Sequence, residues 1–571
     1  MLIHLLFISA ILVCILPLLP GMAGILLPAF SWLPLVTTHQ IEALTAFNLS
    51  GFHHVLSWPG VFQSMLLSLF TGITSSIIAL ALTFFILQAN WHKPHWQKIE
   101  RMLSPMLAMP HVAFAIGFAF LFSPTGWIYR VLEGLGLSTH NTASLIQDPY
   151  GIGLIMALTI KETPFLILMS TSILKQLDVD RLYASASGLG YNRADVWLKV
   201  ILPQWLPKMR LPFYAVLAFG LSVVDVALII GPTRPPTFSV LVWQWFNEPD
   251  LSLLPRAAAG ALCLLLIAFL TLATARLFEW LTLNYWRSWQ IQGAKKHQFW
   301  GEHGYLPLVI LPMCIIPLLV IWSFAQRWRF PDIVPTRLSE RFWQQELPTL
   351  WELASSSFAL ALFSTTLALI LTIGCLEYRD KYQRAIPFWL IAIPMVIPQL
   401  SLLFGLQVTT HFISGQHYWL WVSWSHILFV FPYLYLALDG PWRSFDARLY
   451  QSARSLGLTH WQAWWKVKRV LLQPSIWIAI AIGLSVSLTQ YLPTQMLGAG
   501  RVTTITTEAV ALASGQDRRV SAIYGILQGL LPFIFFSLAL IASHHSGIQP
   551  RLNKQRSTST DEFICGKPNY K

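Results

Sequence analysis

Residues 181–200 read RLYASASGLGYNRADVWLKV, and residues 448–467 read RLYQSARSLGLTHWQAWWKV, 267 positions later. Arg, Leu, Tyr, Ser, Ala, Leu, Gly, Trp, Lys and Val recur at matching places, half of the window. Each copy is basic and polar and lies between long apolar stretches. The pattern implies a membrane protein of two related halves, each offering one copy of a loop to one copy of a duplicated partner.

Composition supports that class. Of 571 residues, 55% are hydrophobic and 11% charged, with 26 Trp and 35 Phe, whereas a soluble domain carries about a quarter charged residues. A net charge of +13 suggests nucleic acid in a soluble chain. Here the basic residues sit in short loops beside apolar runs, so membrane topology explains them and no nucleic-acid partner is expected. Cysteines at 14, 263, 314, 375 and 565 lack metal-ligand spacing. Four fall in apolar segments and read as buried, inert thiols.

A helix needs about 20 apolar residues to cross the hydrocarbon core. Twelve stretches qualify: 5–27, 61–88, 104–124, 151–174, 212–232 and 257–278, then 305–325, 353–375, 386–408, 418–438, 474–493 and 521–543. The first lacks a preceding Lys or Arg and carries Pro17 and Pro20, so it reads as a retained helix rather than a signal peptide. Of 38 Lys and Arg, 27 lie in loops on the side of the repeated motif and ten on the other. Basic loops stay cytoplasmic, which predicts a multi-pass inner-membrane protein with the motif and both termini in the cytoplasm.

The duplication extends beyond the loop. Pro105-Met106, Pro110 and Gly117 are echoed by Pro394-Met395, Pro398 and Gly405, and Pro164 by Pro432. Gly220-Leu221-Ser222-Val223 recurs as Gly483-Leu484-Ser485-Val486. The expected organisation is all-α: a first half (1–278), a cytoplasmic linker (279–304), a second half (305–543) and a polar tail (544–571). An even number of crossings separates the copies, so the repeats are parallel.

The motif resembles the EAA loop of binding-protein-dependent ABC transporter permeases, a pattern of Glu-Ala-Ala, three residues, Gly, and an aromatic seven residues on. Ala184-Ser185-Ala186 precedes Gly190 and Trp197 in loop 175–211, and Gln451-Ser452-Ala453 precedes Gly457 and Trp464 in loop 439–473. Over nearly the whole chain the resemblance is closest to fused twelve-helix permeases of the iron(III)/thiamine type. Gln490-Tyr491-Leu492-Pro493-Thr494 through Gly500-Arg501 and Thr507-Glu508-Ala509 looks like the YnjC-like subfamily. The resemblance implies two docked copies of an ABC ATPase, one per loop, and an external substrate-binding protein. Ala184 and Gln451 replace the family's acidic residue, so docking would rest on shape, backbone and the flanking Arg181 and Arg448. Small side chains permit close approach, and Gly190 and Gly457 suit a left-handed turn. Trp197 and Trp464 would plug a partner pocket or anchor the loop at the membrane interface. The plainer alternative is a polar loop duplicated with its domain.

No Gly-x4-Gly-Lys-Ser/Thr loop occurs, so nucleotide chemistry belongs to a separate subunit and no cofactor is expected. Ionisable residues inside spans are costly and suggest function. Lys161-Glu162 and Asp225 qualify, and the amide Gln490 lies in the part of the eleventh span comparable to Asp225. Glu162, Asp225 and Gln490 are expected at the interface between halves, as path lining or as packing groups. Asp250 and Asp517, 267 apart, precede the last span of each half. A secondary transporter with an ion site at Glu162 or Asp225 is the competing class. It leaves the EAA-like spacing unexplained.

Overall fold

Among the residues that the computed structural model describes (2–32, 47–137, 144–293, 301–411, 417–515 and 517–546), ten helices are long and apolar enough to cross a bilayer. They are Leu2–Ala29, Val61–Asn90, His111–Gly134, Ile152–Gln176, Leu254–Tyr285, Leu306–Phe324, Arg341–Tyr382, Tyr418–Arg443, His460–Leu488 and Arg518–Ser543. The ninth expected stretch is a pair, Phe388–Val396 and Gln399–Thr410, bent by 96°. The fifth is Arg210–Ser222, followed after a two-residue break by Asp225–Ile230. The protein is an all-α polytopic membrane protein, and its described strands form one short hairpin, Ala325–Arg327 with Arg337–Leu338. Linker residues 294–300 and tail residues 547–571 lie outside the described residues.

Three boundaries differ from the sequence reading. The third span starts at His111 rather than 104, and Trp96–Ala108 is a separate helix. Proline 110 has no N–H and disfavours helix at Met109, so the chain turns there. Met106 O, four residues back, loses its natural donor, and Lys161 Nζ supplies one at 2.8 Å. The sixth helix runs on to Ile291, deep into the expected linker. Glu279 there is held by Arg210 at 2.9 Å and Arg276 at 3.0 Å. The eighth helix, Arg341–Tyr382, overshoots its apolar stretch at both ends.

In the fifth and eleventh spans the carbonyls freed where the helix breaks are satisfied by the same device. The break after Ser222 frees Val223 O, which accepts from Ser239 Oγ at 2.8 Å. In the eleventh span the helix ends at Leu488, whose carbonyl accepts from Thr506 Oγ1 at 2.5 Å. Ser239 and Thr506 are 267 apart. Irregular backbone at membrane depth survives only where protein or a wet cavity satisfies it.

The halves are interlaced. The first span lies between the sixth and ninth helices, while the seventh lies between the twelfth and third. Each half therefore sends its first span across to the other. The repeated glycines of the Pro-Met motif make room for this. A Cβ on Gly405 would sit 1.6 Å from Gly21 O, and one on Gly117 would sit 2.1 Å from Ile315 Cγ2. Without a hydrophobic drive between helices in lipid, such small-residue contacts set which helices meet.

Candidate functional site

The two repeated loops fold alike. Helix Val179–Gly188 ends at a turn through Gly190 (φ +84°), and Ala447–Ser455 at one through Gly457 (φ +89°). These φ values favour glycine, and a Cβ at either position would meet nothing within 4 Å. Beyond each turn the next helix is capped by residues 267 apart. Asn192 accepts from Asp195 N, and Thr459 forms a capping box with Gln462.

Burial sorts the candidate docking residues. Arg181, Ala184 and Ser185 are exposed, as are Arg448, Gln451 and Ser452, whereas Ala186 and Ala453 face inward. Arg181 reaches Asp178 at 3.4 Å across open solvent. Trp197 is 1% exposed and packs edge-on to Phe84, so it fastens the loop to its own bundle and offers nothing to a partner pocket. Trp464 is half-buried and donates Nε1 to Glu377 at 3.0 Å. Glu377 also receives Trp442 Nε1 at 3.0 Å and Lys468 Nζ at 2.7 Å, which ties the second loop to the eighth helix.

The most prominent side chains were not singled out by sequence. Leu189 is 78% exposed and Leu456 is 84% exposed, each immediately before the turn glycine. Both belong to the matched Leu-Gly pair of the repeat, which was the available signal. Each loop therefore presents one protruding leucine at its tip.

A second constellation gathers at the breaks. Glu162 Oε1 lies 2.8 Å from His111 Nε2, at the start of the third span. Asp225 starts the short helix after the fifth-span break, within electrostatic reach of His111 and of Tyr491 from the second half. Glu162 likewise lies within reach of Tyr433. Gln490, in the break of the eleventh span, accepts from Gln399 Nε2 at 2.8 Å. His111, Asp225, Gln399 and Gln490 all keep some solvent access although they sit well inside the chain's apolar spans. His111 follows Pro110 and Gln399 follows Pro398. The residue after the repeated proline therefore pairs with Glu162 of the fourth span in one half and with Gln490 of the eleventh span in the other. Lys161 is not part of this group, since its ammonium is spent on Met106 O.

No family model matches the chain. The inner membrane ABC transporter permease protein YnjC of Escherichia coli (strain K12) is 30% identical to it over 524 residues, 90% of this chain and 94% of that relative. The chain belongs to the ABC transporter permeases. This permease is also 21% identical over 457 residues to the thiamine transport system permease protein ThiP of Haemophilus influenzae, covering 76% of the chain and 80% of ThiP. The molybdenum transport system permease protein ModB of Mycobacterium tuberculosis is 24% identical over 251 residues, 88% of ModB but 42% of this permease. These relatives favour the ABC reading over the secondary-transporter alternative. The permease is a multi-pass protein of the inner membrane.

Proposed function

We propose that the permease forms the whole translocation path of an ATP-driven importer, with one ATPase subunit docked on loop 175–211 and a second on loop 439–473. The observation that carries this reading is the matched pair of glycine turns with an exposed leucine at each tip. Burying such a leucine in a partner groove contributes about 1.5–3 kcal/mol, and two identical anchors suit two identical subunits. The excess of Lys and Arg around the loops supports a cytoplasmic orientation for them and for both termini. A substrate-binding protein would then load the opposite face. The match of one relative to less than half of the chain supports the division into a first half (1–278) and a second half (305–543).

Closure of the ATPase pair on ATP would draw the loops together. The halves would rock about their interlaced first spans, and the permease needs only two packings close in free energy. Glu162, Asp225 and Gln490, with His111 and Gln399, would line the path where the spans are broken.

Purification of the full chain from its native membrane tests this. Two nucleotide-binding subunits per chain are expected, and Leu189→Asp or Leu456→Asp should each abolish stoichiometric capture while leaving the permease folded. Recovery of the wild-type chain without any nucleotide-binding subunit would remove the reading.

A further inference from the structure

On the face opposite the docking loops, one corner holds charge that the chain does not neutralise. Arg130, Arg518 and Arg519 converge with Trp322, Trp328 and Phe330 around a cavity of about 400 Å³. Arg130 donates Nε to the Thr125 carbonyl at 3.0 Å, and Nη1 to the carbonyls of Arg329 and Asp332 at 2.7 and 2.8 Å. Arg518 donates to the same Thr125 carbonyl at 3.2 Å, and to the hydroxyls of Ser123 and Thr125 at 3.0 and 2.7 Å. Two guanidinium groups thus share one neutral acceptor, which holds them within a few ångströms of each other.

Neither has a carboxylate at ion-pair distance among the described residues. Asp517 is gripped by Arg519 through two contacts of 2.9 and 3.0 Å. Asp332 acts on Arg130 only at longer range. The corresponding corner of the first half is different. There Arg256, near the start of the sixth span, pairs with Glu248 at 2.6 Å and lies 4.5 Å from the Trp58 ring. Arg130 and Arg518 thus keep a charge that no described carboxylate of the chain pairs with.

The walls suit an anion. Arg130 lies 5.0 Å from the Trp328 ring and Arg518 lies 5.4 Å from Trp322. Such rings orient the guanidinium planes and exclude water, which strengthens any charge-assisted contact. The site also borders the first turn of the long helix Arg518–Ser546, but Asp517, which lines the same cavity, already accepts from Arg519 N at 2.9 Å, so the two guanidinium groups and not the helix end would hold the anion.

We propose that this corner binds a phosphate-class oxyanion, either free or as the phosphodiester of an anionic phospholipid in the adjacent leaflet. Trp322 closes the seventh span and Trp328 lies just past it, at a depth where tryptophan meets lipid headgroups. The proposal does not depend on ATPase docking, which concerns the other face.

The full chain in phosphatidylcholine nanodiscs would be titrated calorimetrically with inorganic phosphate. A parallel sample in mixed phosphatidylglycerol discs would be analysed by native mass spectrometry for retained lipid. Phosphate binding that is at least tenfold weaker in Arg518→Gln identifies a free anion. Retained phosphatidylglycerol that falls at least tenfold in the variant, without phosphate binding, identifies the lipid. Arg518→Lys should restore part of either signal, and size-exclusion profiles confirm the fold. Absence of both ligands, or equal binding by Arg518→Gln, overturns the proposal. So does a variant that binds both anions normally and loses only capture of the substrate-binding protein.

Discussion

Two kinds of glycine carry this molecule, and a substitution tells them apart. Gly190 and Gly457 hold positive φ in open space, so alanine there meets no atom and costs only backbone strain, about 1–2 kcal/mol confined to the loop. Gly405 faces the opposite constraint, since a side chain would enter the backbone of the first span at Gly21. Gly190→Ala should give a monodisperse permease with near-wild-type thermal unfolding. Gly405→Val should fail to yield a folded peak in fluorescence-detected chromatography. The turn glycines were legible in the sequence because they end a short polar helix within the repeat. Gly117 and Gly405 were visible as repeated residues, but nothing local states which helix they admit. The exposed Leu189 and Leu456 were likewise hidden among a dozen ordinary apolar letters, because exposure belongs to the fold.

At the scale of elements, the broken fifth and eleventh spans depend on single hydroxyls. Ser239→Ala leaves Val223 O without its donor and Thr506→Ala does the same to Leu488 O, each at a cost of about 1–3 kcal/mol. The sites lie in different halves, so the double variant should show roughly additive loss in thermal unfolding. The helix Val179–Gly188 of the first repeated loop has a pH-sensitive support. His92, past the end of the second span, stacks on Tyr183 with centroids 4.4 Å apart and lies 3.1 Å from Asp180. Burial and then the Arg193 charge pull its pKa below the ordinary 6.5, outweighing Asp180. A His with a depressed folded pKa favours the neutral form. Its contribution is complete above the unfolded value and is lost as pH falls through the folded one. Amide exchange in 179–188, corrected for intrinsic rates, should therefore quicken as pH is lowered below about 6.5, and His92→Gln should flatten that dependence.

At the scale of the whole molecule, the exchange of first spans makes each half incomplete alone. The seventh span covers the third, and the first covers the ninth. Residues 1–293 and 301–571 expressed as separate chains should co-purify as one complex. Either one alone should be degraded or aggregate, which western blotting of membranes would reveal. Independent stability of residues 1–293 in detergent would contradict the interlaced packing.

The sequence by itself determined the membrane class, the all-α character and the position of the repeated loops. Each is written in apolar length, charge asymmetry or a repeat at constant offset, properties that need no neighbour to be read. Of its twelve apolar stretches, ten are single long helices among the described residues, while the fifth and ninth are broken. The polar group at the breaks was legible only in part. Glu162, Asp225 and Gln490 stood out as costly residues in apolar stretches, while His111 and Gln399 lie at helix starts and look unremarkable until their partners arrive. Lys161 shows the limit plainly, since its meaning depends on a carbonyl orphaned 55 residues earlier. Tertiary structure alone decided which helices cross, which side chains meet between halves and where charge is left unpaired. In lipid, helices of equal apolarity gain little from one contact over another, so close packing of small residues and the pairing of a few polar groups select the arrangement.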